Sequence, residues 1–99
     1  DIIDYLTSRR IWKLRYTAST TFGIPDILAI YKGVIIGIEI KREDGEGVAT
    51  ILQKETLASI ERAGGVGALV ESVHDVMLIL EEIDYSISEG SYVPYRNVV

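Results

Sequence analysis

The spacing of apolar positions changes period along the chain, and each change marks an element. In Asp1 to Arg10, Ile2, Ile3 and Leu6 share one side, which predicts the end of a helix. The pattern opens inside that helix, so further chain is expected upstream. From Ile11 to Tyr16, Ile11, Lys13 and Arg15 alternate with Trp12, Leu14 and Tyr16, the period of a strand, with Trp12 expected in the core. Thr17 to Phe22 is a polar loop, and Gly23 and Pro25 punctuate its end. Two apolar runs, Asp26–Tyr31 and Val34–Lys41, flank Lys32-Gly33 and read as a β-hairpin with a tight turn. Glu43 to Gly47 is a turn or mobile loop. Val48 to Ala63 reads as a helix ended by Gly64-Gly65. Val66 to Glu71 is a short strand. Ser72 can cap a last helix, Val73 to Ile83, with Asp75 placed as in a capping box. From Asp84 onward the pattern dissolves into Ser, Gly, Tyr and Pro, an extension that a partner chain would order.

The predicted order is α-β-β-β-α-β-α. The hairpin is apolar on both faces, so helices should cover both sides of its sheet. The helix after the hairpin serves as the crossover to a parallel strand. This is an α/β fold with a mixed sheet. At 99 residues the chain suits one core and one domain, 1–83, followed by the extension 84–99.

Composition narrows the chemistry. The chain has no cysteine, which excludes disulfides and zinc–thiolate sites. No apolar run approaches membrane-spanning length, and no signal-peptide pattern opens the chain, so no membrane partner is expected. The net charge of −5 argues against a non-specific DNA coat protein. A local basic patch remains open to nucleic acid: Arg9, Arg10, Lys13 and Arg15 cluster early, and Lys41 and Arg42 come after the hairpin. The same cluster also fits a plain solvated face. His74, the single histidine, suits a surface or core position on the last helix better than a site.

The hairpin acts as a ruler for its flanking charges. If Lys32-Gly33 is the turn, Tyr31 faces Val34, Leu28 faces Gly37, and Asp26 faces Glu39. Opposed residues hold their β-carbons about 4.5–5.5 Å apart. Two carboxylates at roughly 4 Å repel by about 4 kcal/mol at an intermediate dielectric, which calls for a cation. Lys41 comes two residues after Glu39 on the same face, about 6.6–6.8 Å along the strand. Val34, Ile36, Ile38 and Ile40 form the opposite, apolar face. Two carboxylates with open positions suit Mg²⁺ or Mn²⁺. A lone E-x-K would be an exposed strand-end pair; the opposed aspartate after Gly-x-Pro is what turns the reading toward a site.

With Pro25-Asp26 and Glu39-Ile40-Lys41 as its motif, the chain resembles the PD-(D/E)xK nuclease superfamily. GIPD, then EIK, then Gln53 on the next helix is similar to the virus-type replication–repair nuclease (VRR-NUC) domain. The resemblance covers the chain from Tyr5-Leu6 to Ile83 and implies a restriction-endonuclease-like αβββαβ core. It implies a Mg²⁺- or Mn²⁺-dependent endonuclease, with Asp26, Glu39 and the Ile40 carbonyl as metal ligands. Lys41 would position or activate water, and Gln53 would fix Lys41, water or substrate. Lys13, Arg15 and Arg42 would meet nucleic acid. The acidic residue these nucleases carry on the first helix is not matched, and neither Asp1 nor Asp4 takes its place. The resemblance also implies branched DNA or a Holliday junction as substrate, a homodimer, and the cytoplasm of a bacterial or phage-infected cell. A sequence-specific restriction-like endonuclease and a catalytically silent binding or assembly module stand as alternatives.

Overall fold

The structure, a computed structural model, describes residues 1–15, 23–41 and 51–90. Helix α1 (Ile2–Ser8) is capped by Asp1, whose side chain accepts from the Asp4 N–H at 2.8 Å. Ile2 and Leu6 are its buried residues, as their spacing requires. Strands β1 (Trp12–Arg15), β2 (Ile27–Tyr31), β3 (Val34–Ile40) and β4 (Val66–Val70) lie side by side in that order in one sheet. The pairs β1–β2 and β2–β3 are antiparallel, and β3–β4 is parallel. Helix α2 (Ile51–Arg62) makes the crossover, and α3 (Val73–Ser88) comes after β4. The expected α/β fold with a mixed sheet and three helices is therefore present.

The hairpin turn explains its own register. Lys32 and Gly33 both have positive φ, 51° and 84°, the requirement of the type I′ turn that matches strand twist. Tyr31 accordingly pairs with Val34, and Leu28 with Gly37. Ile27, Ala29, Val34, Ile36, Ile38, Ala68 and Val70 share one face and pack with Ile2, Leu6, Val76, Leu80 and Ile83 from α1 and α3. The other face receives α2. There the helix comes so close that a β-carbon on Gly67 would stand 2.5 Å from the Leu57 carbonyl oxygen.

Three expectations need correction. Helices do not cover the whole of the second face: among the described residues α2 sits over β3 and β4, and the half formed by β1 and β2 stays open. Trp12 is consequently 58% exposed rather than core. It pairs with Ile30 and so points to the open half. Nor does the last helix stop at Ile83. It runs to Ser88, because Ile87 continues the stripe of Leu80 and Ile83 onto the core. Asp84, which looked like a break, accepts hydrogen bonds from the Tyr31 hydroxyl at 3.0 Å and is paired with Lys32. The expected boundary between 83 and 84 thus falls inside a helix. The expected start of the preceding helix at Val48, the loop from Glu43 to Gly47 and most of the C-terminal extension lie outside the described residues.

The start of α3 and the end of α2 behave as their sequences dictate. Ser72 accepts from the Asp75 N–H at 3.3 Å, the expected N-cap. Asp75 reaches back one residue further than a capping box would, accepting from the Glu71 N–H at 2.8 Å. Helix α2 ends where Gly64 takes φ 99° and the Gly65 N–H donates to the Ile60 carbonyl at 2.9 Å.

Candidate functional site

The site lies where the hairpin ends. Continuing the observed pairing one step beyond Ile27–Ile38 sets Asp26 across from Glu39. The two residues therefore occupy one row on the face that receives α2. Asp26 Oδ2 accepts from the Ile40 N–H at 2.8 Å, and this bond fixes the orientation of the carboxylate. Glu39 is 3% exposed and is the one buried charged side chain among the described residues. A buried carboxylate is costly to ionise unless its surroundings compensate. In the sheet it stands between Asp26 on one side and Leu69, its partner in β4, on the other.

Gly23 and Pro25 do more than punctuate. Both are buried. Gly23 has φ 85°, and a β-carbon there would meet the Thr56 hydroxyl at 2.8 Å and the Leu52 carbonyl at 3.2 Å. The segment before Asp26 is thus pressed against the first turns of α2. Pro25 also stands against the space above Gly37. Gln53 is half-buried, one turn before Leu57, on the stripe that meets β3 and β4. These packings bring the start of α2, GIPD and the end of β3 to one corner.

Lys41 comes to that corner differently from the expectation. Its N–H donates to the Val70 carbonyl at 2.7 Å, which extends the parallel pairing. Its ammonium is 3.5 Å from Glu71 Oε1, a pair that is about half exposed on the lysine side. The lysine is thus engaged by the acid at the end of β4. Lys13 and Arg15 are not at the corner: they pair with Ala29 and Ile27 and so belong to the opposite face from Glu39. Arg42 lies outside the described residues. His74 is exposed on α3.

The donor set suits a hard divalent cation. It offers two carboxylates and the backbone of Ile40, all oxygen donors, with positions left for water or phosphate. Among the described residues no group of three His, Cys, Asp or Glu residues could hold a metal, so the set is limited to two protein carboxylates. Likewise, no helix among the described residues is long and apolar enough to cross a membrane. The residue that sequence reasoning missed is Glu71. Its signal was available, since it comes directly after the strand that pairs with β3 and stands one step past Val70, which pairs with Ile40.

No protein-family model matches the chain, and no curated protein and no solved structure matches it.

Proposed function

We propose that this chain is a divalent-metal-dependent DNA endonuclease of the PD-(D/E)xK kind, with a VRR-NUC-like core, hydrolysing phosphodiester bonds in branched DNA such as a Holliday junction. The observation that supports it most is the pairing of Tyr31 with Val34, which carries Asp26 and the buried Glu39 into one row. Asp26, Glu39 and the Ile40 carbonyl would hold Mg²⁺ or Mn²⁺. When bound, such an ion lowers the pKa of a coordinated water and stabilises charge on the phosphoryl group. The Asp26–Ile40 hydrogen bond keeps one ligand preorganised. The Lys41–Glu71 pair is solvent-exposed, and such pairs contribute about 1 kcal/mol or less, so a phosphate can displace Glu71 at small cost. Gln53 enters from α2 to orient water or substrate. Hydrolysis joins the water oxygen to phosphorus and releases one ester oxygen as a hydroxyl.

The test is cleavage of linear, flap, fork and four-way DNA in Mg²⁺ and in Mn²⁺. Asp26→Ala, Glu39→Ala and Lys41→Ala should each lower the rate by about a hundredfold or more, with the circular dichroism of the fold retained. Cutting at the wild-type rate by either carboxylate variant refutes the assignment. A homodimer fits the paired sites of a branched substrate and is read by sedimentation of the full chain.

The Lys41–Glu71 pair favours one second reading, a catalytically silent DNA-binding or assembly module, because it engages the lysine away from the two carboxylates. Calorimetry separates the two: a silent module shows no heat with Mn²⁺ while its DNA affinity stays intact.

A further inference from the structure

The open half of the α2 face has a composition that core packing does not explain. Trp12, Ile30 and Ile35 form one transverse row across β1, β2 and β3. They are 58%, 41% and 49% exposed, and Leu14 beside them is 48% exposed. β1 is also the outer strand of the sheet, with one edge unpaired by any other strand among the described residues. Its charges are distinctive. Arg9 to Arg15 (RRIWKLR) holds four of the ten Lys and Arg residues and no acid, in a chain of net charge −5. Arg9 is occupied by the Tyr5 and Tyr31 hydroxyls at 2.6 and 3.3 Å. Lys32 and Lys41 are paired with Asp84 and Glu71. By contrast, no ion pair involves Arg10, Lys13 or Arg15 among the described residues.

An exposed indole on an apolar platform, on an edge strand whose opposite face carries Lys13 and Arg15 without an acidic partner among the described residues, suits one class of ligand. Every base has a π-face that can stack on an aromatic ring, and phosphates seek arginine and lysine. A second protein copy fits less well. Pairing β1 with its own counterpart through a two-fold axis normal to the sheet would set Lys13 against Lys13 or against Arg15, and edge lysines of this kind discourage such pairing.

We propose that β1 and the open half-face bind unpaired nucleotides of a DNA strand that crosses the free edge of β1, with Trp12 stacking on a base on the α2 face and Arg10, with Lys13 and Arg15 from the opposite face of the strand, contacting phosphates at that edge. The proposal takes its ligand class from the DNA reading of the carboxylate corner but requires no catalysis. Trp12 shares its sheet face with Glu39. Ile35, in the row of Trp12, precedes Glu39 on β3 by a distance of about 13 Å at strand rise. Trp12 stands two strands to the side of Ile35, about 10 Å, so it is about 16 Å from Glu39, roughly five steps of a B-form strand. An unpaired nucleotide held at Trp12 therefore sets the duplex beside the carboxylates, which is how a small domain could select a branch point over plain duplex.

Trp12 is the single tryptophan, so its emission reports this site directly. The experiment titrates the full chain, in chelator to prevent cleavage, with a labelled oligothymidylate and with a duplex of equal length. Indole emission and oligonucleotide anisotropy are measured together. The expected result is quenching that tracks anisotropy, with the single strand bound more tightly than the duplex. Trp12→Ala should weaken binding on the order of tenfold and Trp12→Phe much less. Lys13→Ala and Arg15→Ala should each reduce the salt slope by about 0.7. Absence of single-strand binding, or binding that leaves Trp12 emission unchanged, overturns the proposal. So does a dimer formed without DNA and abolished by Trp12→Ala, since a second copy would then be the occupant. The two readings fail separately. Quenching without any cleavage in Mg²⁺ sinks the nuclease and leaves this surface standing, and cleavage without quenching does the reverse.

Discussion

Replacing Gly67 by alanine tests how tightly α2 is seated, and with it the delivery of Gln53 to the corner. A β-carbon at Gly67 would lie 2.5 Å from the Leu57 carbonyl oxygen and 2.9 Å from the Leu57 carbonyl carbon and β-carbon. Ordinary contact begins at 3.4 Å, and the obstacle is helix backbone, which cannot rotate aside. Either α2 lifts by most of the difference or β4 bends away. Overpacking of this kind costs about 1–3 kcal/mol. Restricting the unfolded chain returns about 0.4–1 kcal/mol of it. The net expectation is a loss of roughly 1–2 kcal/mol, or roughly 5–15 °C in Tm for a chain of this size. Gly37→Ala is the control. Its closest obstacle is Ile60 Cδ1 at 2.6 Å, the end of a flexible side chain, so its loss should be smaller, about 1 kcal/mol or below. Thermal and urea unfolding monitored by far-ultraviolet circular dichroism give both values. Gly67→Ala as stable as the parent, or less harmful than Gly37→Ala, would refute the close seating of α2. Under the nuclease reading, Gly67→Ala should also slow cleavage while leaving metal binding at Asp26 and Glu39 in place.

Three further outcomes are expected from the same geometry. Ile87→Ala should destabilise by about 1–2 kcal/mol, because the side chain is packed on the core; no effect in urea unfolding would mean that α3 is not anchored past Ile83. Ser72→Ala should cost about 1 kcal/mol through loss of the N-cap of α3, and Ser72→Asp should restore most of it; equal losses in both variants would place the effect elsewhere. Lys32 first, and the Tyr31 hydroxyl after it, hold the Asp84 carboxyl below its ordinary value. A carboxyl depressed in the folded state adds stability that is complete above its unfolded pKa and is lost as pH falls through the folded one. The Tm difference between the parent and Asp84→Asn should thus shrink in acid, below the usual carboxylate range. An unchanged difference across that range would show that charge plays no part in the contact.

What could be read from the sequence was whatever the local chain decides. The turn at Lys32-Gly33 fixes the hairpin without help from distant residues, and the row of Asp26 and Glu39 is reached by counting. The cap at Ser72 and the stop at Gly64 are local in the same sense. What could not be read depends on partners far along the chain. Asp84 breaks an apolar pattern and looks like the end of a helix until Tyr31 and Lys32, more than fifty residues earlier, are seen to receive it. Lys41 stands at the correct spacing from Glu39, but the destination of its ammonium is set by Glu71 at the end of another strand. Trp12 alternates as a core residue should, and only the position of α2 decides that it is not one.

That position is itself written in side-chain size, although not in periodicity. On the α2 face, β3 and β4 carry Gly37 and Gly67 side by side, and the helix lays Leu57 and Ile60 into the space they leave. On the same face β1, β2 and the start of β3 carry Trp12, Leu14, Ile30 and Ile35, whose bulk would hold a helix away from the backbone. One half of the face is therefore shaped to take a helix at close range, and the other is shaped to remain accessible. Burying the exposed half of Trp12, Ile30 and Ile35 would each yield about 1 kcal/mol, so leaving them exposed forgoes stability the fold could have had. A face that gives up this much apolar burial, on an edge strand whose other face carries Lys13 and Arg15 with no ion pair among the described residues, is better explained by an occupant than by folding. The converse substitution separates the two explanations. Trp12→Lys should leave stability within about 0.5 kcal/mol, as for other exposed positions, while removing the stacking surface. A large loss of stability in Trp12→Lys would instead return the tryptophan to the core and close the open half-face as a binding site.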